Sequence, residues 1–388
     1  MRPVKVKDDI YWVGAVDWDL RDFHGYLTQR GSSYNAYLIM DEKITLVDTV
    51  KAYLVEEMLD RIAHVVDPSK IDYIICNHVE MDHSGGITRL MELAPNATII
   101  TSPNGQRGLK AHYKRDWPMQ VVKTGDRLSL GKRNLSFVLT QMVHWPDNMV
   151  AYMPEEKILF SNDAFGQHIA SMERFDDQFS YHLIMEEAKK YYANIVLPYG
   201  AQVQNALQAL AGLEIDLIAT SHGLLWRSHV PEILEEYGKW AANYTEEKAL
   251  IIYDTMWEST KKIAYAIQRA FEHKGIDSKM VNLDSNHMSD IMTELITAKY
   301  VCVGSPTLNN NMLPSVAAFL TYLKGLAPKQ RVGLAFGSYG WGGQGVAQIE
   351  EALKAAGFDM LKPVKAQYIP DERALEEITA QVEAVVGG

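Results

Sequence analysis

From about residue 248 onward, strand-like and helix-like segments alternate without a break, and few patterns restrict a chain more tightly. KALIIYDT, SKMVNL, YVCVGSPT and RVGLAFG are short runs rich in apolar and β-branched residues. Between and after them lie TKKIAYAIQRAFEHKG, MSDIMTELITAK, PSVAAFLTYLKGL and GVAQIEEALKAAGF, apolar at helical spacing. Strands joined by crossover helices form a parallel sheet. VKAQYI, followed by the amphipathic DERALEEITAQVEAVV, would complete five wound strands.

The first 230 or so residues have a different texture. Runs such as NAYLIM, KITLVD, IDYIIC, ATIITS, LSFVLT, KILFSND and LIATSH outnumber helical stretches. A chain of 388 residues exceeds what one core usually serves. Charged and aromatic WAANYTEEK reads as the linker, which predicts one domain over 1–248 and another over 249–388. No apolar run approaches the ~20 residues of a membrane helix, and MRPVKVKDDIYWVGAV lacks the apolar block of a signal peptide. The expected setting is cytoplasmic. A net charge of −11 argues against a generic nucleic-acid binder. The two cysteines, Cys76 and Cys302, lie in apolar runs and form no CxxC pair, so they read as buried small hydrophobes and not as part of an iron–sulfur or rubredoxin site.

Directly after IDYIIC comes NHVEMDHSGG, which places His78, Glu80, Asp82 and His83 within six positions. Residues at a strand-to-loop junction can turn several donor atoms toward one point. Three more candidates end apolar runs: His144 after LSFVLTQMV, Asp163 after ILFSN and His222 after DLIATS. One of twelve histidines would by itself be an ordinary surface or core residue. Matching strand-end contexts are what a sheet-borne metal site requires. The pattern resembles the metallo-β-lactamase fold, an αββα sandwich, whose hydrolytic members usually show HxHxDH. Glu80 stands where the second histidine would be, and a carboxylate there makes the site harder and favours iron over zinc. His78, Glu80 and His144 would hold one metal, Asp82, His83 and His222 the other, and Asp163 would bridge.

The second half carries three loops at successive strand ends. The first, Thr255, Met256, Trp257, Glu258, Ser259 and Thr260, sets hydroxyls beside a helix N-terminus, where phosphate binds. Serine and threonine are also routine helix caps. The second comprises Ser305, Pro306, Thr307, Leu308, Asn309 and Asn310, and the third Ser338, Tyr339, Gly340, Trp341, Gly342 and Gly343. Flavodoxin-like doubly wound sheets bind FMN at the strand carboxyl ends. Trp257, Tyr339 and Trp341 would flank the isoalloxazine. GWGGQG fits the GxGxxG pattern, but it follows the fourth strand, whereas a dinucleotide fingerprint follows the first.

A carboxylate-rich dimetal domain followed by a flavodoxin-like domain resembles the flavodiiron proteins over essentially the whole chain. NHVEMDHSGG, HWPDNM, LFSNDAFGQH, SHGLLWR, YDTMWEST, GSPTLNN and FGSYGWGG carry the resemblance. It implies FMN, two irons, reduction of dioxygen to water or nitric oxide to nitrous oxide, and a separate donor protein, usually rubredoxin, for what looks like the minimal two-domain class. It further implies that His24, Tyr26, His168 and Tyr192 line the substrate pocket. Domains of these lengths have radii of gyration of roughly 14 to 18 Å, so cofactors at opposite ends of one chain would be too far apart for fast electron transfer. The family solves this with a head-to-tail homodimer, which is carried over here; a dimer of dimers remains open. Three rivals stay open as well: a zinc hydrolase, a gas sensor that binds without turnover, and direct oxidation of NADH through GWGGQG with no donor protein.

Overall fold

The strand Tyr73–Cys76 shows how the first unit is layered. Side chains of a strand alternate between faces. Ile75 belongs to one apolar cluster, Ile74 and Cys76 to another. The Ile75 cluster also takes Phe137, Ala151, Phe160 and Leu217 from a second sheet, so it is the seam between two facing sheets. The other cluster takes Val55, Met58, Leu59 and Ile62, the i, i+3, i+4, i+7 stripe of the helix Val55–Ala63. On the far side, Val203 and Tyr237 of the helices Gly200–Leu210 and Val230–Ala241 line one small cavity with Val150 of the second sheet. The layers are therefore helix, sheet, sheet, helix. The computed structural model describes residues 1–387.

The sheets have seven and five strands. In the second, Asn134–Leu139 and Ile158–Asn162 are both antiparallel to Met149–Met153, and Ile158–Asn162 is parallel to Leu217–Thr220. Three strands thus end at one rim. Those ends lead to His144, Asp163 and His222, while Tyr73–Cys76 of the first sheet leads to His78.

In the second unit the parallel strands stand in the order Asp277–Asn282, Glu246–Tyr253, Ala298–Gly304, Val332–Tyr339. The fifth is split: Asp359–Met360 and Val364–Gln367 both pair with Val332–Tyr339. This 2-1-3-4-5 order is that of a flavodoxin-like sheet. Helices cover the face that presents Ala249, Ile251 and Tyr253, through Ile263 and Ile267 of Ser259–His273 and Ile378 and Val382 of Glu372–Glu383. Leu250 and Ile252, equally buried, turn to the opposite face.

The compact units are residues 1–192 with 199–241, and 193–198 with 242 onward. The boundary expected at 248/249 cuts the strand Glu246–Tyr253, all of which lies in the second unit. Glu246, Glu247 and Lys248 read as linker because they are charged, yet Glu246 already pairs with Ala298. Cys76 and Cys302 are buried free thiols. Among the described residues no helix is long and apolar enough to cross a membrane.

Candidate metal centre and flavin loops

His78 stands two residues past the end of its strand and is fully buried. Its Nδ1 lies 2.8 Å from Asp147 Oδ2, and since a carboxylate only accepts, the ring donates there and turns Nε2 inward. That Nε2 is 3.3 Å from Glu80 Oε2 and 3.6 Å from Asp163 Oδ2. His144 Nε2 reaches the same two oxygens, at 3.5 and 3.2 Å. Around a second point, His83 Nε2 lies 3.4 Å from Asp82 Oδ1, and His222 Nε2 lies 3.3 Å from Asp82 Oδ2. Asp163 Oδ1 faces these two histidines, at 2.9 and 3.3 Å. One carboxylate thus presents one oxygen to each cluster. Within each of the groups His78–Glu80–His144–Asp163 and Asp82–His83–His222, one donor atom per residue lies within 4.8 Å of all the others.

Two of the rings, His78 and His222, are aimed by a second bond, as metal-binding histidines usually are. His222 Nδ1 donates to the Ser33 carbonyl at 2.9 Å. Gly223, which follows, has φ +75°, donates to Ser33 Oγ and accepts from Asn35 Nδ2. A Cβ there would fall 2.1 Å from Gln167 Oε1, so only glycine permits the turn that delivers His222. Asp48 ties the two sheets together beneath the site: its carboxylate accepts from the Asn77 amide, Asn77 Nδ2 and Asn162 Nδ2.

For His78, Asp82, His83, Asp163 and His222 burial opposes charge, yet mutual attraction wins. Hydrogen bonds to Asp147 and Glu80 lift the His78 pKa well above the imidazole range despite burial. Burial likewise works against His222, but the facing carboxylates of Asp163 and Asp82 push it up to about 10. Asp163 is buried as well, and the facing histidines hold it far below the carboxylate range. Both oxygens of Asp82 and of Asp163 and both nitrogens of His83 are buried with no hydrogen-bond partner. Buried polar atoms are normally satisfied. Orphaned donors grouped around two points, in a cluster that draws cations onto its histidines, fit a pair of metal ions.

Of the pocket residues expected by resemblance, His24 is largely exposed, with Nε2 3.2 Å from Glu80 Oε1. His168 is buried, its ring centroid 4.9 Å from that of His222 and 5.2 Å from that of Tyr26, with Nδ1 2.8 Å from Ser32 Oγ. Tyr192 is elsewhere: it packs on Tyr237 and Trp240. Tyr191 is the one that stands 5.2 Å from His168 and 5.9 Å from His222. Successive helical residues point about 100° apart, so a Tyr-Tyr pair in sequence leaves open which ring faces the site.

In the second unit the three loops are bonded to one another. Thr260 Oγ1 and Ser338 Oγ are 2.9 Å apart, the Thr307 amide donates to the Ser338 carbonyl, and the Gly345 amide donates to Thr307 Oγ1. Ser305 Oγ accepts from the Leu313 amide and so closes the second loop. Asn309 and Asn310, at φ +49° and +60°, make the tight turn between Leu308 and Asn311. The helix Ser259–His273 has no side-chain cap, and beside its start the Thr255 hydroxyl is buried without a partner. An uncapped N-terminus with an orphaned hydroxyl fits a phosphate. Trp257 and Trp341 project at 85% and 91% exposure, Met256 is also exposed, and Tyr339 is half-buried. GWGGQG follows Val332–Tyr339, the fourth long strand of its sheet, and its helix opens at Gln344.

Residues 33–223 match the family model of ODP family beta lactamases, and residues 251–381 that of flavodoxins. The chain is 47% identical to a nitric oxide reductase of Moorella thermoacetica, over 93% of this chain and 92% of the relative. The solved rubredoxin oxygen:oxidoreductase of Desulfovibrio gigas superposes with a TM-score of 0.96 at 43% identity, covering 99% of this chain and 98% of that one. A flavodiiron protein from Giardia intestinalis does so with a TM-score of 0.96 at 34% identity, covering 99% and 96%. The chain belongs to the flavodiiron proteins.

For this flavodiiron protein, sequence patterns missed three supports of the centre: Asp147, Asp48 and the Ser33 carbonyl. Asp147 had a signal, since it lies three residues after His144 in HWPD. The other two had none, because a backbone carbonyl leaves no mark in sequence and Asp48 ends a strand as many aspartates do.

Proposed function

We propose that this flavodiiron protein reduces dioxygen to water, nitric oxide to nitrous oxide, or both, at a pair of irons, with electrons passed through FMN from a donor protein such as rubredoxin. The observation that carries this is Asp163, whose two buried oxygens each face a separate cluster. His78, Glu80 and His144 would hold one iron, Asp82, His83 and His222 the other, and Asp163 both. Irons and flavin together would supply the four electrons that dioxygen needs, or the two that couple a pair of nitric oxide molecules.

The chain's own residues set the conditions. Glu80 in place of a third histidine gives the first cluster a second carboxylate besides Asp163, a harder set than zinc prefers. Asp147 and the Ser33 carbonyl fix His78 and His222 in the tautomer that leaves Nε2 free. His24 holds a proton on Nε2 beside Glu80 on the exposed side. His168 and Tyr191 wall the buried side. In the second unit, Thr255, Ser259 and Thr260 would take the FMN phosphate. Met256, Glu258, Ser305, Pro306, Thr307, Leu308, Asn309, Asn310, Ser338, Gly340, Gly342 and Gly343 would contour the loops around the ring, with Trp257, Tyr339 and Trp341 beside it.

We assign the active form to a head-to-tail homodimer in the cytoplasm. The testing experiment supplies reduced rubredoxin under otherwise gas-free conditions and then each gas in turn. Consumption of either gas, with about two irons and one FMN per chain, is the expected result; zinc-loaded, colourless protein would favour the hydrolase. Mixing Asp163→Asn protein with a flavin-free variant tests the dimer, because only a head-to-tail pair regains activity.

A further inference from the structure

Between the helices Gly200–Leu210 and Val230–Ala241 lies a surface groove of about 470 Å³ whose lining, Glu235 apart, is apolar. Behind it sits a second cavity of about 20 Å³. Leu207 and Leu210 line both and form the partition between them. The inner cavity's far wall contains Phe165 together with Val143 and Ala164, the immediate chain neighbours of His144 and Asp163. Two apolar cavities, parted by Leu207 and Leu210, thus lie between the surface and residues that adjoin His144 and Asp163 in the chain.

We propose that these cavities are the route by which an uncharged diatomic gas reaches the metal centre, apart from the polar mouth at His24 and Glu80. The proposal rests on the reading of that centre as one that consumes dioxygen or nitric oxide. Size limits the occupant: the inner cavity, at about 20 Å³, admits only a small molecule. Chemistry selects against water itself, which needs two to four polar partners. The lining offers Thr140 and Tyr237, and the Tyr237 hydroxyl already takes the Phe165 amide at 2.6 Å. Small apolar cavities stay dry and bind xenon, and dioxygen and nitric oxide are likewise small and weakly hydrated. Passage past Leu207, and onward past Val143 and Phe165, needs only rotamer motion.

The wild-type holoenzyme, crystallised under xenon pressure, should show xenon in both cavities. Leu207→Trp, which plugs the partition, should lower kcat/KM for the gas about tenfold while leaving kcat at saturating gas, iron and FMN content, and mass in solution unchanged. Leu207→Ala, which widens it, should shift kcat/KM the other way, and keeps the test alive should the tryptophan variant fail to fold. Absence of xenon from an enzyme that turns over gas, or unchanged kcat/KM in both variants, overturns the route alone. So does a change of mass in solution on Leu207→Trp, which would make the groove a seat for a second copy of the chain. Failure of the wild type to consume either gas overturns the proposed function, and the route's purpose with it.

Discussion

At the metal centre no donor side chain exceeds 13% exposure, whereas in the loops proposed for FMN Trp257 and Trp341 stand at 85% and 91%. The first site is a set of buried side chains, with the His78 and His222 rings each aimed by a second bond; the second is a set of backbone turns carrying exposed rings. Buried charge has to be balanced on the spot. That forces the centre to be preorganised, and its arrangement is legible even without its ions. An exposed aromatic has no such obligation, so those loops show their outline and leave the contact surface open. The contrast suits the two proposed tasks, since one site would hold reactive metals away from water and the other would be reached by a donor protein.

The largest expected effect comes from Asp163→Ala. Loss of the oxygen facing each cluster should take metal content below one ion per chain and cut gas consumption by more than the about 10- to 100-fold that removing an outer partner costs. FMN content, read from absorbance, should not change; two retained ions would break the contrast. Asp147→Ala should weaken metal affinity by about 10- to 100-fold in competition with a chelator, because it frees the His78 ring and orphans the Val79 amide.

Glu294 offers a carboxylate of the second unit balanced by ammonium groups and not by metal. It is half-buried, which disfavours its charge, but Lys248 and Lys279, each 2.8 Å away, lower its pKa from 4.5 to about 2. The folded pKa lies below the unfolded one, so the contribution is full above pH 4.5 and disappears as pH falls through about 2. Allowing for solvent screening, Glu294→Gln should cost about 1–2 kcal/mol at pH 7 in urea unfolding. The gap to wild type should close in acid and ignore chelators; a gap that persisted at low pH would show that packing, not charge, is responsible.

The smallest effects belong to the exposed rings. Trp257→Ala and Trp341→Ala each remove a stacking contact of about 0.5–1.5 kcal/mol, so the Kd for FMN should rise about 2- to 12-fold. Stability should move by no more than about 0.5 kcal/mol, and metal content should hold. A large drop in melting temperature would mean that these rings are structural, against their exposure.

Much of this was readable in the chain because the information is local. His78, Glu80, Asp82 and His83 share six positions, and the second unit's helices and strands announce themselves by period. What escaped was carried by contacts between distant residues. The bond from His78 to Asp147 spans 69 residues and that from His222 to the Ser33 carbonyl 189. The choice between Tyr191 and Tyr192 turned on helix rotation, and the unit boundary on the pairing of charged Glu246 with Ala298.

The sequence by itself determined which donors exist and that strand ends would carry them, since side-chain chemistry and short-range periodicity are properties of neighbours along the chain. Only the tertiary structure decided which oxygen of Asp163 faces which cluster, which ring nitrogen points inward, and that an apolar cavity ends beside Val143 and Ala164. Those are properties of space between segments, fixed by how two sheets and their covering helices pack.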